Sequence, residues 1–359
     1  MSEEQDGQPQ PRKPVLALSM GDPNGIGLEV ILKTFADPRI LNFCTPVLYA
    51  AQPVVNLNRK ILRMRQFHYH LIDHLDRRQP DKFNLLTVWS DEFKVQFGVP
   101  DPEVGPYAFY SLQAAVNDLQ AGRVDALVTA PINKKTIQQE SFSFPGHTEY
   151  LGRQLGGEPL MMMVHEAFRV AVATAHVPLR SVSDLIDEAL LERKIRALDQ
   201  SLRYDFGLER PRIALLGLNP HAGEQGLLGA EESEIMKPLM ERLQQASILA
   251  LGPYPADGFF GTGMQNQFDG ILAMYHDQGL IPFKTLAFDQ GVNFTAGMPA
   301  VRTSPDHGTA YALAGKNQAD PTSFREAVFL AVDVWRQRRR EEAIRENPLR
   351  ARAEKKRER

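Results

Sequence analysis

The sequence predicts an α/β chain built on a mainly parallel sheet and distinct from the Rossmann dinucleotide fold. Three observations carry that expectation. Short apolar runs bounded by turn residues alternate with helical segments, the pattern of strand–helix–strand units. Three of those runs hand over, directly or through a turn, to a histidine: His176, His221 and His276. No complete GxGxxG and no Walker A motif occurs anywhere in the chain.

Residues 15–19 (VLALS) read as the first strand, and residues 21–27 (GDPNGIG) as the turn that follows. Residues 28–35 (LEVILKTF) form a short helix, and 46–51 (PVLYAA) a second strand. Over residues 106–120, Phe109, Leu112, Val116 and Leu119 recur at helical spacing, and Gly122 stops the helix. Residues 124–130 (VDALVTA), 168–175 (FRVAVATA), 213–218 (IALLGL) and 270–275 (GILAMY) are further buried strands. The Gly-rich turn at 21–27 lacks the third glycine of a dinucleotide fingerprint. It serves equally as a tight strand–helix connection or as an anion-binding loop.

The three strand-end histidines stand where an open α/β sheet presents its ligand edge. Three imidazoles converging there would hold one divalent metal and leave positions open for substrate. Their spacings of 45 and 55 residues match no zinc finger, so the fold would have to assemble the site.

The densest polar stretch is 275–309, which reads as a loop-rich segment holding Asp277, Lys284, Asn293, Arg302, Asp306 and His307. Cations beside amides suit a phosphate- or carboxylate-bearing substrate, since arginine grips such groups bidentately and lysine acts as a point charge or proton donor. Asp277 either orients an imidazole, joins the metal shell or caps the turn. In residues 146–149 (GHTE), His147 and Thr148 offer an imidazole and a hydroxyl to a ligand, and Thr148 also suits the N-cap of a following helix.

Of the 359 residues 43% are apolar and 24% charged, ordinary for a soluble globular protein. The single cysteine, Cys44, excludes an intrachain disulfide framework and suits the cytoplasm. No stretch has the length and apolarity of a membrane span. Residues 1–13 read as a disordered polar leader and 336–359 as a basic tail. That tail carries eleven Lys/Arg against five Glu, so the rest of the chain holds −9 of the overall −3. It has no aromatic residue after Trp335 on which a base would stack, so a solvated mixed-charge helix is favoured over nucleic-acid binding.

The segments SMGDPNGIGLE, FPGHTEYL, TAHVPL, LNPHAGEQGLLGAEE, GPYPADGFF and MYHDQGLIPFKTLAFDQGVNFTAGMPAVRTSPDHGTA occur in this order between about residue 15 and about residue 334. Together they closely resemble the 4-hydroxythreonine-4-phosphate dehydrogenase family of pyridoxal phosphate biosynthesis. The resemblance implies an isocitrate/isopropylmalate dehydrogenase-like α/β/α fold, with two subdomains within residues 14–335 and a cleft between them. It implies His176, His221 and His276 as ligands to zinc, cobalt or magnesium, drawn from both subunits of a homodimer. It implies substrate contacts from His147, Thr148, Lys284, Asn293 and Arg302 and NAD or NADP as cofactor; the residue types themselves make Lys284 and Asp277 the candidate catalytic residues.

The implied reaction oxidises 4-phosphooxy-L-threonine to 2-amino-3-oxo-4-phosphooxybutanoate, which decarboxylates to 3-amino-2-oxopropyl phosphate. Sister branches act on threonate- or erythronate-type phosphates or on a cyclic diol dicarboxylate, and an acyl-phosphate transferase is the alternative from another class. Leu28 stands where the family usually has Pro, Gly258 where Thr is common, and Phe288-Asp289-Gln290 replaces a more glycine-rich stretch. None of these is an expected ligand.

Overall fold

The computed structural model describes residues 12–346 apart from Glu92, residues 139–141 and Pro145. Its first part contains β1 (Val15–Ser19), α1 (Gly27–Thr34), β2 (Thr45–Ala50), α2 (Gln52–Ile61), β3 (His70–Ile72), β4 (Asn84–Thr87), α3 (Gly105–Gln120) and β5 (Ala126–Thr129). Next come α4 (His147–Leu155), β6 (Leu160–Val164), β7 (Arg169–Thr174), α5 (Val182–Leu185), α6 (Glu188–Tyr204) and β8 (Arg212–Leu216). The last part holds α7 (Lys237–Gln245), β9 (Leu249–Tyr254), α8 (Ala256–Gly261), β10 (Gly270–Tyr275), α9 (His276–Ala287), β11 (Val292–Ala296), β12 (Val301–Pro305) and α10 (Thr322–Glu346).

The strands form one 12-stranded mixed sheet in the order β3-β4-β2-β1-β5-β12-β11-β6-β7-β10-β8-β9. From β3 to β12 neighbours are parallel, and from β7 to β9 they are parallel again. Between these blocks β12–β11, β11–β6 and β6–β7 pair antiparallel. The sheet is mainly parallel, as expected, but three reversals leave its two blocks running in opposite directions, so the expectation of one shared ligand edge is corrected. β5 and β12 end at one edge, and β7, β8 and β10 at the other.

Helices cover both faces. Alternate side chains of β1 serve separate cores, as the period of two demands: Leu16 and Leu18 join α1, α6 and α10, whereas Val15 and Ala17 join α3. The expected face of α3 is buried, with Phe109, Leu112, Val116 and Leu119 all below a tenth exposed. A third cluster packs α8 and α9 onto β7 and β10. No described helix is long and apolar enough to cross a membrane.

The segment 275–309 is not loop-rich. It is α9 followed by β11 and β12. Leu280, Phe283 and Ala287 bury one side of α9, while Val292, Phe294 and Ala296 alternate into the core from β11. Its polar residues occupy the opposite positions. Within the leader, Arg12 and Lys13 are held by Asp125 and Asp81, and residues 1–11 lie outside the described residues. Residues 336–346 of the basic segment continue α10, where Arg338 is buried against Asp205 at 2.7 Å.

Candidate active site

Because the two blocks end at opposite edges, something must cross the sheet to bring their ends together. α9 does so. It starts at His276, directly after β10, and runs back until Lys284 reaches Asp306, just beyond β12. Between these ends lies a cavity of about 310 Å³. Thr129, Lys134, His147, His176, His276, Lys284, Asn293, Arg302 and His307 all line it.

Arg302 sits on β12 between β5 and β11, which fixes its partners. Its Nη2 donates to Thr129 Oγ1 at 2.8 Å and its Nη1 to Thr295 Oγ1 at 3.1 Å, with Asn293 Oδ1 at 3.5 Å. It is 2% exposed, and no carboxylate among the described residues pairs with it. Burial lowers its pKa to about 10, so it remains charged at neutral pH. Its hydrogen-bond partners are all neutral, its Nε is unbonded, and the charge of Glu149 only partly offsets the effect of burial, an arrangement suited to binding an anion.

Two further cations flank it. Lys284 donates to Asp306 through Oδ1 (2.9 Å) and the carbonyl O (3.1 Å). Lys134 follows β5 and has no recorded ion pair among the described residues. Sequence reasoning assigned no role to Lys134 or Thr129. Both lie at the end of β5, and the strand-end logic applied to the histidines would have found them had this opposite edge been considered.

His147 and Thr148 open α4, whose N-cap is Gly146 with no side-chain cap. The capping role expected of Thr148 is therefore corrected: it lies inside the first turn. His147 Nε2 is buried without a partner. Burial, then the charges of Arg302 and Lys134, holds its pKa well below 6.5, and burial depresses that of His307 as well. These neutral histidines make a stability prediction. The unfolded chain takes up their protons near pH 6.5 and the folded chain resists, so stability falls as pH drops below that value. Thermal unfolding across this range should show the acid slope, and His147→Asn should flatten it; an unchanged slope removes His147 as a source.

His176 and His276 approach with ring centroids 6.0 Å apart. His176 Nδ1 donates to Glu149 Oε1 at 3.0 Å, and His276 Nδ1 to Asp277 Oδ1 at 2.7 Å. That bond to His176, opposed by burial, lowers the Glu149 pKa. Both rings therefore have Nε2 left for a ligand. Asp277, 69% exposed, meets His276 at Nδ1; it is absent from the lining of this cavity and instead lines a neighbouring one together with His176 and His276.

His221 is not brought to this cavity. It is exposed on the turn Pro220–Gly226, where His221, Ala222, Glu224 and Gln225 all have positive φ. Such backbone costs about 1–2 kcal/mol per residue. Among the described residues no group of three His, Cys, Asp or Glu side chains is gathered for a metal.

The turn at residues 21–27 is a tight connection. A Cβ on Gly21 would lie 2.5 Å from the Pro131 carbonyl O. The N–H groups of Asp22, Asn24, Gly25 and Ile26 are all taken by protein acceptors.

Known proteins carry the same architecture. The chain is 49% identical over 337 residues to the 4-hydroxythreonine-4-phosphate dehydrogenase of Bacteroides thetaiotaomicron, covering 93% of this chain and 92% of that one. The crystal structure of a 4-hydroxythreonine-4-phosphate dehydrogenase from Klebsiella pneumoniae matches with TM-score 0.77 at 34% identity, over 91% of this chain and 99% of the other. A terephthalate 1,2-cis-dihydrodiol dehydrogenase from Burkholderia xenovorans is more distant, with TM-score 0.60 and 27% identity over 90% and 98% of the two chains. The family model described as "Pyridoxal phosphate biosynthetic protein PdxA" matches residues 42–331, well over half of the sequence, and the chain belongs to that family.

Proposed function

We propose that this chain oxidises 4-phosphooxy-L-threonine with NAD or NADP, in a divalent-metal-dependent step of pyridoxal phosphate biosynthesis. The product, 2-amino-3-oxo-4-phosphooxybutanoate, loses carbon dioxide to give 3-amino-2-oxopropyl phosphate. The observation that carries this reading is the buried Arg302, hydrogen-bonded only to neutral side chains, in one cavity with Lys134, Lys284 and two carboxylate-backed imidazoles. A substrate bearing a phosphate and a carboxylate supplies the missing anions. The names of the relatives support the same substrate.

The donor set fits a metal. His176 and His276 would hold it through Nε2, and imidazole ligands favour zinc or cobalt over magnesium. The third ligand in this reading is His221 contributed within a homodimer whose subunits share their sites; the separation of His221 from the cavity of its own chain supports that. When bound, the metal supplies Lewis acidity at the C3 oxygen and the nicotinamide supplies the hydride acceptor. The chain's own residues bind and orient. Arg302 and Asn293 grip an anionic end of the substrate, His147 and Thr148 hold the phosphate end, and Lys284 Nζ holds a proton against the substrate's oxygens. Asp277 acts on His276. The finer fold in this reading is isocitrate/isopropylmalate dehydrogenase-like, with two subdomains within residues 14–335 bordering the cleft. The buried lone Cys44 supports a cytoplasmic setting.

The experiment is direct. Purified protein is given 4-phosphooxy-L-threonine with NAD or NADP, with and without a chelator, and the absorbance of reduced nicotinamide is followed. Reduction that the chelator abolishes and added zinc or cobalt restores is expected. No reduction by protein with metal bound would transfer the assignment to a threonate- or erythronate-type phosphate.

A further inference from the structure

We propose that Glu149 is a positioning residue: it fixes the tautomer and ring plane of His176, and so ties the metal end of the cavity to the helix end that holds the substrate. The inference rests on the three-histidine reading above.

Glu149 and His176 are 27 residues apart, on the first turn of α4 and on the loop after β7. Nothing in the local chain brings them together, yet Oε1 lies 3.0 Å from Nδ1 and each side chain is 34% exposed. The other oxygen, Oε2, is buried without a partner and sits 3.4 Å from where a Cβ on Gly146 would stand. The carboxylate is thus held between the bare backbone at Gly146, with the Lys134 side chain beside it, and the imidazole. It also lies in the first turn of a helix, where negative charge is favoured. An ionised carboxylate only accepts, so Nδ1 carries the proton, and in the neutral ring Nε2 is then the bare nitrogen. The same three-residue stretch carries His147 and Thr148, so one helix end sets both substrate contacts and one metal ligand.

Asp277 stands in the same relation to His276 but is the adjacent residue and 69% exposed, where water competes for both partners. Glu149 is therefore the stronger of the two holders. Lost outer partners of ligating histidines typically cost about 10–100-fold in metal affinity.

Cobalt affinity of the full-length protein, measured by competition with a chromophoric chelator in the absence of substrate, reads this directly. Glu149→Ala should weaken cobalt binding by about 10–100-fold. Glu149→Gln, which keeps an oxygen for Nδ1–H, should lose distinctly less. Histidine 15N spectra of the metal-free protein should show one His176 tautomer in the wild type and a mixture in Glu149→Ala, a change that loss of helix stability alone would not produce. Cobalt affinity of Glu149→Ala within about threefold of wild type, below the range expected for such partners, overturns the proposal whatever happens to thermal stability. A wild-type protein that binds neither cobalt nor zinc would instead overturn the metal reading itself.

Discussion

Replacing Arg302 with methionine should collapse kcat/KM for the phosphorylated substrate while leaving the ligand-free protein at least as stable as before. The two halves of that expectation share one cause. Arg302 is 2% exposed, and its hydrogen bonds go to Thr129 and Thr295 hydroxyls and the Asn293 amide, none of which neutralises it. An unpaired buried charge is a cost to the empty protein, and replacing buried ionic groups by apolar ones of similar volume is often neutral or stabilising. Hydroxyls left behind can rotate to other acceptors. In the complex the balance reverses, because a buried charge meeting an anion contributes about 2–5 kcal/mol on truncation, roughly 30-fold to several thousandfold in affinity. Steady-state kinetics and thermal melts of the same two proteins check both halves. Near-normal kcat/KM would remove Arg302 from the anion site. A large fall in melting temperature of the ligand-free protein would show that the guanidinium is structural.

Such trading of stability against function also explains which parts of this molecule were legible in its sequence. β1, β5, β7, β8 and β10 are short apolar runs because both of their faces are covered by helices, and both sheet faces leave the same mark. α3 announces itself by spacing alone. β11 and β12 do not, since Asn293, Arg302 and Ser304 interrupt their apolar pattern. Those positions line the cavity, so function overrides the strand signature there.

Strand direction is written in the connections instead. Only residues 297–300 join β11 to β12, and residues 165–168 join β6 to β7. Four residues suffice for a hairpin and are too few for a parallel crossover. Those two links alone would leave the blocks aligned; the third reversal, β11 against β6, joins strands distant in the chain, and with it the ligand edge splits in two. The histidines on β7 and β10 were visible as strand-end residues, and β8 also ends at their edge. What the sequence could not show is that His221 stands apart on a left-handed turn. Nor does it reveal that Glu149 reaches His176 across 27 residues, since only the packing of α4 against the β7 loop creates that contact.

Lys284→Ala should lower turnover by about a hundredfold or more, the range in which positioned proton-transferring groups act, with metal content unchanged. Lys284 reaches the cavity from α9, eight residues beyond His276, so its loss leaves both imidazoles and their carboxylate partners in place. It does strand Asp306. That side chain is 8% exposed, and burial already raises its pKa against the pull of Lys284 and, more weakly, His307 and His276. Removing the ammonium takes away the first of the favourable contacts, so the folded pKa climbs further. A raised carboxylate pKa gives stability that is present at low pH and lost as pH rises through it. The variant should therefore be destabilised more at neutral pH than near pH 5, about one unit above the ordinary carboxylate range. Lys284→Arg separates the two roles. A guanidinium can still pair with Asp306 and recover the pH-dependent part, but its fork geometry and fixed charge serve proton transfer poorly. Arginine that restored full turnover would reduce Lys284 to a point charge, and alanine that kept near-normal turnover would remove it from the chemistry altogether.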